Sequence, residues 1–533
     1  MSNNTIRGTR AMVVAPHSLA SQAALGVLRE GGNAIEAMVA AAATISIVYP
    51  HMTGLGGDAF WLIHEPGQPV IAIDACGGAA TGISSMFYTD LGLDTIPTRG
   101  PLAANTVAGT VSGWEQALKI STQRWDGRVP LSRLFDDAIH YGEHGVPVTA
   151  SQMRSTLTKQ TELEVQPGFR ECFLVNGRAP AEGSLFFQPK MAATLRHLSR
   201  SGLDDFYRGE MAQAIATDLA ACGSPLSLSD LNNYRADLVQ PLALAHSLGT
   251  VYNMPPPTQG VVSLMMLGIL DRLELREMEP DSADYVHCIV EATKQAFKVR
   301  DAYVTDPRYM RIDVQDCLQS DFLDPLASAI TLEKVLPWGK GRGPGDTVWM
   351  GVVDSQGRAV SFIQSIYHEF GSGVVLEQTG LNWQNRGCSF SLDENTLNAY
   401  KPGRKPFHTL NPALVQLHDG RVMVYGTMGG DGQPQTQAAL FTRAIVYEQS
   451  LQQAVSAPRW LLGRTWGQSS DTLKLEARFS EEIVESLRHR GHEIEMLQAF
   501  DEAVGHAGAI IRHPDGVLEG ASDPRSDGSV ASF

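Results

Sequence analysis

Residues 339–367 read GKGRGPGDTVWMGVVDSQGRAVSFIQSIY, and the organisation of the chain turns on this stretch. Its first seven residues hold four glycines, one proline and two cations. A segment of that composition has little to pack and is expected to be mobile and exposed. Directly after it, Thr347–Val353 and Arg358–Ile366 read as strands around the turn Asp354-Ser355-Gln356-Gly357. A flexible segment therefore delivers a hydroxyl residue, Thr347, to the start of a strand. Backbone cleavage between Asp346 and Thr347 would place a hydroxyl and an α-amine on one residue. An α-amine titrates at about 7.7–8.0, so it can accept the hydroxyl proton near neutral pH, which no side-chain amine does unaided. Taken alone, a threonine after a glycine linker is ordinarily just the first residue of a strand.

Downstream, the texture stays that of strands and short turns. Ala413–Leu417 and Val422–Tyr425 flank Asp419-Gly420, and Ala507–Ile511 and Val517–Glu519 flank Asp515-Gly516. Helices are expected from about Gln435 to Tyr447, and from an N-capping Ser480 to a stop at Gly491. Upstream, Ser18–Thr44 reads as two alanine-rich helices broken at Gly31-Gly32. From Pro130 to about Val335 the periodicity is mostly helical, most clearly at Ala192–Leu198 and Ala283–Tyr303. Antiparallel strand pairs with segregated helices point to an α+β layered sandwich.

Composition narrows the function. The 533 residues carry 42 Lys+Arg against 58 Asp+Glu, a formal charge of −16. A net acidic chain without a basic stripe is a poor nucleic-acid binder and does not suit an anionic membrane surface. The longest apolar run, Ala37–Tyr49, is far short of the roughly 20 residues a spanning helix needs. The first residues, MSNNTIRGTRAMVVAPH, lack the basic-then-apolar layout of a secretory leader. Six scattered cysteines without a CxxC suit a reducing compartment, so a cytoplasmic location is expected.

Common catalytic signatures are missing: no GxSxG, HExxH, phosphate loop or EF-hand pattern occurs. Gly54, Gly56 and Ala59 have a GxGxxA spacing, but a helix precedes and a strand follows, the reverse of a dinucleotide site. They are read as a tight turn feeding the strand Phe60–Ile63. His489 and His492 straddle a helix stop, where cations need no metal to explain them. His287, mid-helix among apolar neighbours, reads as a satisfied core residue. Gly429-Gly430, in YGTMGGDGQPQTQ between a strand and a helix, could be a plain turn. Successive N–H groups at a helix entrance are also a natural oxyanion hole.

At these places the sequence resembles the γ-glutamyltransferase family of N-terminal-nucleophile hydrolases, over nearly the whole chain. The blocks GGNAIEAMVA (31–40), MTGLGGDAF (52–60), NTVAGTVSGWE (105–115), MPPPTQGVVSL (254–264) and HCIVEATKQAFKVRDAYVTDP (287–307) carry the first part. VVDSQGRAVSFIQSIYHEFGSG (352–373), KPGRKPF (401–407), GTMGG (426–430), QQAVSAPRW (452–460) and GASDPRSDG (520–528) follow in the family's order. The resemblance implies a four-layer αββα sandwich and an inactive precursor that cuts itself between Asp346 and Thr347. It implies a large chain, 1–346, and a small chain, 347–533, that remain associated as a heterodimer, with a dimer of heterodimers left open. It further implies Thr347 as the nucleophile, Ser365 as a second hydroxyl hydrogen-bonded to it, and Gly429 and Gly430 as the oxyanion hole. No cofactor or metal is implied.

The departures bear on the substrate. Where the family has an Arg for the glutamate α-carboxylate this chain resembles it with Cys76, and the Asp for the α-amine is Ser389. The usual Ser-Ser pair is His408-Thr409, and a usual Asn is Tyr367. A charged amino-acid headgroup would lose its partners, at a cost of several kcal/mol when desolvated. Arg386, Tyr367, His408 and Thr409 stand in their place. The Arg386 fork suits one carboxylate, unless it is a surface cation paired with Asp or Glu. The bulk of Tyr367 and His408 suggests a short substrate. These residues lead to the expectation of a small carboxylated amide without an α-amine. The members of the family that the sequence most resembles imply, further, that the amide is oxamate, hydrolysed to oxalate and ammonia in purine (allantoin) breakdown. The alternatives are a γ-glutamyltransferase or glutathione hydrolase, or a glutaryl-type acylase, with an altered pocket.

Overall fold

The structure, a computed structural model, describes residues 4–339, 345–464 and 470–533. Most of the expected mobile linker, Lys340–Pro344, lies outside the described residues.

The strands of the two main sheets, in order, begin with β1 (Ile6–Gly8), β2 (Met12–Ala15), β3 (Asp58–His64) and β4 (Ile71–Ala75). Then come β5 (Asp237–Val239), β6 (Leu242–His246), β7 (Gly249–Asn253), β8 (Asp346–Val353) and β9 (Ala359–Tyr367). The last are β10 (Ala413–Leu417), β11 (Val422–Gly426), β12 (Gly508–Arg512), β13 (Leu518–Ser522) and β14 (Ser529–Ser532). They form two seven-stranded sheets, ordered β1-β13-β12-β11-β10-β7-β6 and β14-β2-β8-β9-β3-β4-β5. Every pairing in both is antiparallel.

The two sheets face each other across an apolar layer. Met12 and Val14 of β2, Phe60 and Leu62 of β3, Trp349 of β8 and Ile363 of β9 meet Leu414, Val424 and Ile510 of the other sheet. Because side chains alternate along a strand, Asp58, Thr347 and Ser365 fall on this same inner face, at the end of the layer. Helices α1 (Ser18–Arg29), α2 (Ala34–Val48) and α3 (Thr110–Trp125) cover the outer face of the β8-containing sheet. Helix α4 (Gly260–Leu270), backed by α5 (Ala283–Tyr303), and α6 (Gly432–Phe441) cover the other. The result is the expected αββα sandwich. Helix α2 is apolar all round and wholly buried, which explains the alanine run. Its start is a capping box, with Asn33 accepting from the Glu36 N–H and Glu36 accepting from the Asn33 N–H.

The three hairpins read from Asp-Gly and Gln-Gly turns are present as β8–β9, β10–β11 and β12–β13. The segment from Pro130 to Val335 is mostly helical, as read, but β5, β6 and β7 also lie within it; Leu242, Leu244 and Val251 alternate inward over five-residue runs too short to show against helical flanks. One expectation needs correction in its bounds. The helix expected at Gln435–Tyr447 starts earlier, at Gly432, and ends as α-helix at Phe441, continuing as one π-helical stretch, Thr442–Val446. Among the described residues no helix is long and apolar enough to cross a membrane.

His287 and His492 meet on α5. His492 lies just past α7 (Glu481–His489), and its Nε2 is 2.8 Å from His287 Nδ1; His287 Nε2 donates to the Thr331 carbonyl. His287 is thus the satisfied core residue its setting suggested, whereas His489 and His492 part company, one exposed and one buried. Burial, then Lys294, His287 and Arg490, push His492 down to about 3, and burial also lowers His287. Glu291 faces the pair, but Lys294 already holds it. Between about pH 6.5 and 3 the unfolded chain binds a proton at His492 that the folded chain refuses, so stability falls as pH falls. His492→Gln is expected to recover up to about 2 kcal/mol of the stability lost between pH 6.5 and 5. Equal pH slopes for both proteins in urea unfolding would refute this.

Candidate active site

Thr347 faces a β-bulge. Asp346 pairs with Tyr367 but Val348 pairs with Gln364, so two residues of β9, Ser365 and Ile366, stand against the single residue Thr347. A bulge takes its extra residue, here on β9, out of the ladder and re-aims side chains, a common device beside active sites. Thr347 is buried, and its Oγ1 accepts a hydrogen bond from Gln433 Nε2 at 3.4 Å. Ser365 lies in the bulge, and its Oγ accepts from the Tyr367 N–H at 2.8 Å. On the next strand, Asp58 is directly opposite Ser365. Three polar side chains thus run across three adjacent strands, where each strand's next inward residue is Trp349, Ile363 or Phe60. The glycine turn read as MTGLGGDAF makes this possible: a Cβ on Gly57 would lie 2.1 Å from the Ser365 carbonyl oxygen.

The Gly429-Gly430 pair comes off β11 and turns into α6. Gly429 has φ +110° and Gly430 φ +43°, conformations that side chains resist. Among the described residues neither N–H donates a hydrogen bond, so both remain available at the positive end of a helix. The loop is pinned from behind. Gln259 Nε2 donates to the Gly430 carbonyl at 2.8 Å and the Thr409 carbonyl at 3.0 Å. Arg300 pairs with Asp431 at 2.6 Å, both fully buried. Breaking such a pair typically costs about 3–5 kcal/mol, because a lone buried charge remains.

The residues expected to hold substrate are together. Arg386 begins the short turn Arg386–Ser389 and is 1% exposed, so the alternative of a surface cation is excluded. Its guanidinium carbon lies 3.8 Å from the centre of the Tyr367 ring, and Nη1 reaches Thr409 Oγ1 at 3.5 Å. Tyr367 adopts φ +82°, which costs a residue with a Cβ roughly 1–3 kcal/mol and holds the ring under Arg386. Nε and Nη2 of Arg386 have no hydrogen-bond partner, and no carboxylate forms a close ion pair with it, among the described residues. Burial lowers its pKa, offset in part by Tyr367 and the nearby Asp58 carboxylate. A Cβ on Gly345 would sit 3.3 Å from both Thr409 Oγ1 and Tyr367 Cε2, so the junction reaches this pocket. The side chain of Asp346 is outside what the structure describes.

Asp58 was not singled out in the sequence. It is wholly buried; Oδ1 accepts from the N–H groups of Gly77 (3.1 Å) and Gly109 (3.0 Å) and from Gln384 Nε2 (3.1 Å), and Oδ2 from His408 Nε2 (3.0 Å). Burial pushes it up to about 7, against these hydrogen bonds and the Arg386 charge. His408 is fully buried, edge-on to Phe60, and held well below its ordinary pKa by burial, then by Arg386 and Lys405. The only local signal for Asp58 was a carboxylate opening the otherwise apolar strand DAFWLI. Gln259, Gln384 and Gln433 carried none, since glutamine is usually a surface residue.

Ligand-type atoms of Asp58, Cys76 and His408 lie within 4.8 Å of one another, as do those of His287, Glu291 and His492. The neighbouring cation Arg386, and a Cys76 thiol pushed well up by burial and the two nearby carboxylates, oppose a metal ion in the first trio. Lys294, 2.7 Å from Glu291, opposes one in the second.

Comparison with known proteins agrees with this geometry. The family model for gamma-glutamyltranspeptidase matches residues 20–533. The chain is 60% identical to the oxamate amidohydrolase proenzyme of Klebsiella pneumoniae, covering 98% of this chain and 99% of that protein. It is 39% identical to a glutathione hydrolase-like proenzyme of Bacillus subtilis over the full length of both. The crystal structure of cephalosporin acylase from Bacillus halodurans superposes with a TM-score of 0.91 at 32% identity, covering 100% of this chain and 97% of that one. A threonine near the start of a strand and opposite a bulge, a paired-glycine helix entrance and a match along almost the whole sequence lead to one conclusion: the chain belongs to the gamma-glutamyltranspeptidase family and has its N-terminal-nucleophile hydrolase fold.

Proposed function

We propose that this protein is a self-cleaving N-terminal-threonine amidohydrolase whose substrate is oxamate, hydrolysed to oxalate and ammonia. The observation that carries the substrate is Arg386: a buried guanidinium whose Nε and Nη2 have no hydrogen-bond partner among the described residues is costly to keep, and a carboxylate ligand supplies what they lack. The pocket's walls, Tyr367, His408 and Thr409, leave the fork to a small acid, and the 60%-identical relative bears the name of that reaction.

In the precursor, Thr347 Oγ attacks the Asp346 carbonyl, the peptide nitrogen leaves as the new α-amine, and water opens the resulting ester. In the mature enzyme the same oxygen attacks the oxamate amide carbon. The α-amine takes the hydroxyl proton and passes it to the departing nitrogen, which leaves as ammonia. Water then releases oxalate and regenerates Thr347. The N–H groups of Gly429 and Gly430 carry the oxyanion in both stages, a contribution worth a factor of about 10²–10³ per donor. Ser365 supports the nucleophile from the neighbouring strand. The large and small chains stay together because the cut does not separate the sheets. β8, β9 and β14 of the small chain interleave with β2 to β5 of the large chain, and β10 to β13 lie between β1 and β7. The six cysteines are free, in keeping with a cytoplasmic enzyme.

Intact mass spectrometry followed by ammonia release from oxamate tests the proposal. Two species of roughly 37 and 20 kDa by chain-length proportion, the smaller beginning at Thr347, together with ammonia release, are the expected result. A processed enzyme silent on oxamate but active on γ-glutamyl-p-nitroanilide or a glutaryl amide would replace the substrate. A chain that never splits would remove the mechanism.

A further inference from the structure

We infer that Asp58 is a positioning residue that sets the hydrogen-bonding sense of the pocket, so that it accepts the substrate amide and disfavours the product acid. The inference rests on the reading of oxamate as substrate. Oδ1 of Asp58 is occupied by three N–H donors, and Oδ2 is left to the Nε2 of His408. With Asp58 ionised, the shared proton resides on Nε2, and a neutral imidazole then carries a lone pair at Nδ1. Nδ1 of His408 has no partner among the described residues, and neither do Nε and Nη2 of Arg386. The pocket therefore offers donors from a guanidinium and an acceptor from an imidazole. Oxamate matches both, with a carboxylate adjacent to an N–H donor. Oxalate has the same size and shape but only acceptors, and one of its oxygens would meet the Nδ1 lone pair. A site that leaves polar atoms unpaired rejects such a mimic strongly, and here that rejection speeds release of the product.

Protonation of Asp58 reverses the sense: its Oδ2–H then donates to Nε2, and the His408 proton moves to Nδ1. Of the side chains around Asp58 it is the one that titrates near neutrality; the α-amine that cleavage gives Thr347 titrates at about 7.7–8.0, so the pH series is run beside His408→Gln, which keeps that amine. Arg386 and Lys405 stay cationic, the latter paired with Asp74. Cys76, Tyr207 and Tyr234 are all raised by burial, and His408 is lowered. Discrimination should thus be present above about pH 7 and fade below it.

The experiment measures the KM for oxamate and the inhibition constant of oxalate for the wild-type protein, Asp58→Asn and His408→Gln. In Asp58→Asn the amide donates to Nε2, which locks the proton on Nδ1. The expected result at about pH 8 is a KM raised on the order of tenfold and an oxalate inhibition constant lowered about fivefold. In His408→Gln the amide N–H donates to Asp58 and the amide oxygen no longer stands where Nδ1 did, so the oxamate-over-oxalate preference should shrink without inverting. Both constants worsening together in Asp58→Asn would mean general damage and would overturn the inference. Should Asp58→Asn fail to fold or process, the wild-type ratio of the two constants decides. It is expected to fall between about pH 8.5 and 6, and a flat ratio overturns the inference. Wild-type protein inert on oxamate would overturn the functional reading instead. Oxalate binding to wild type and Asp58→Asn by calorimetry then still tests Asp58, with tighter binding to the variant expected and equal or weaker binding overturning its role.

Discussion

Thr347→Ala is expected to run as a single uncut species of 57.7 kDa and to release no ammonia from oxamate above background. One oxygen is asked to do two jobs in succession, opening the Asp346–Thr347 peptide and then attacking the substrate. Deleting it should therefore cost the entire covalent route in both, a loss on the order of a thousandfold or more. The fold should survive, because among the described residues Oγ1 receives one long hydrogen bond, from Gln433. Thr347→Ser keeps the hydroxyl and should still split, though more slowly, since it loses the methyl that restricts the rotamer. An alanine variant that still separated into two pieces would end the self-cleavage mechanism, because another nucleophile would have to be present.

Arg386→Ala is expected to raise the KM for oxamate by about a hundredfold, roughly 3 kcal/mol, while leaving that for the uncharged analogue oxamide within about threefold. The asymmetry follows from the charge. A buried fork donating to a carboxylate loses two charge-assisted hydrogen bonds on substitution, and a neutral amide had little to lose. Stability should move the other way. Removing a buried cation that makes no close ion pair among the described residues relieves a desolvation cost larger than its attraction to Asp58, so the melting temperature of the variant should hold or rise. Equal effects on both substrates would take Arg386 out of the pocket. A lower melting temperature with unchanged KM would make it a structural residue.

Much of this protein is legible along its sequence. The change of texture after Gly345, the hydroxyl at position 347, the hairpin turns and the paired glycines at 429 and 430 are local features, and strand alternation and turn chemistry act over a few residues. The resemblance of ordered blocks added the αββα sandwich and the roles expected of Thr347 and Ser365. Arg386 could be named as a candidate but not aimed. Whether a guanidinium is paired on the surface or stranded in the interior depends on what packs around it, and Tyr367, Thr409 and the Asp58 strand come from separate parts of the chain. The short strands β5 to β7 were hidden in a helical stretch because their partners lie in β4 and β10, outside the window in which a period is read.

The sequence by itself pointed to the class of chemistry: a threonine expected to become a terminal nucleophile when its linker is cut, and glycines that offer backbone N–H groups at a helix entrance. Only the tertiary structure decided which buried polar groups stand together in the proposed pocket. Asp58 opens a strand almost three hundred residues before Thr347, and nothing near it in the chain calls for a carboxylate. It acquires a role when strand pairing sets it opposite Ser365 and folding brings His408 and Gln384 to its two oxygens. Local propensities act along the chain, whereas burial and hydrogen-bond partners are properties of the packed molecule, and selectivity is written in the latter.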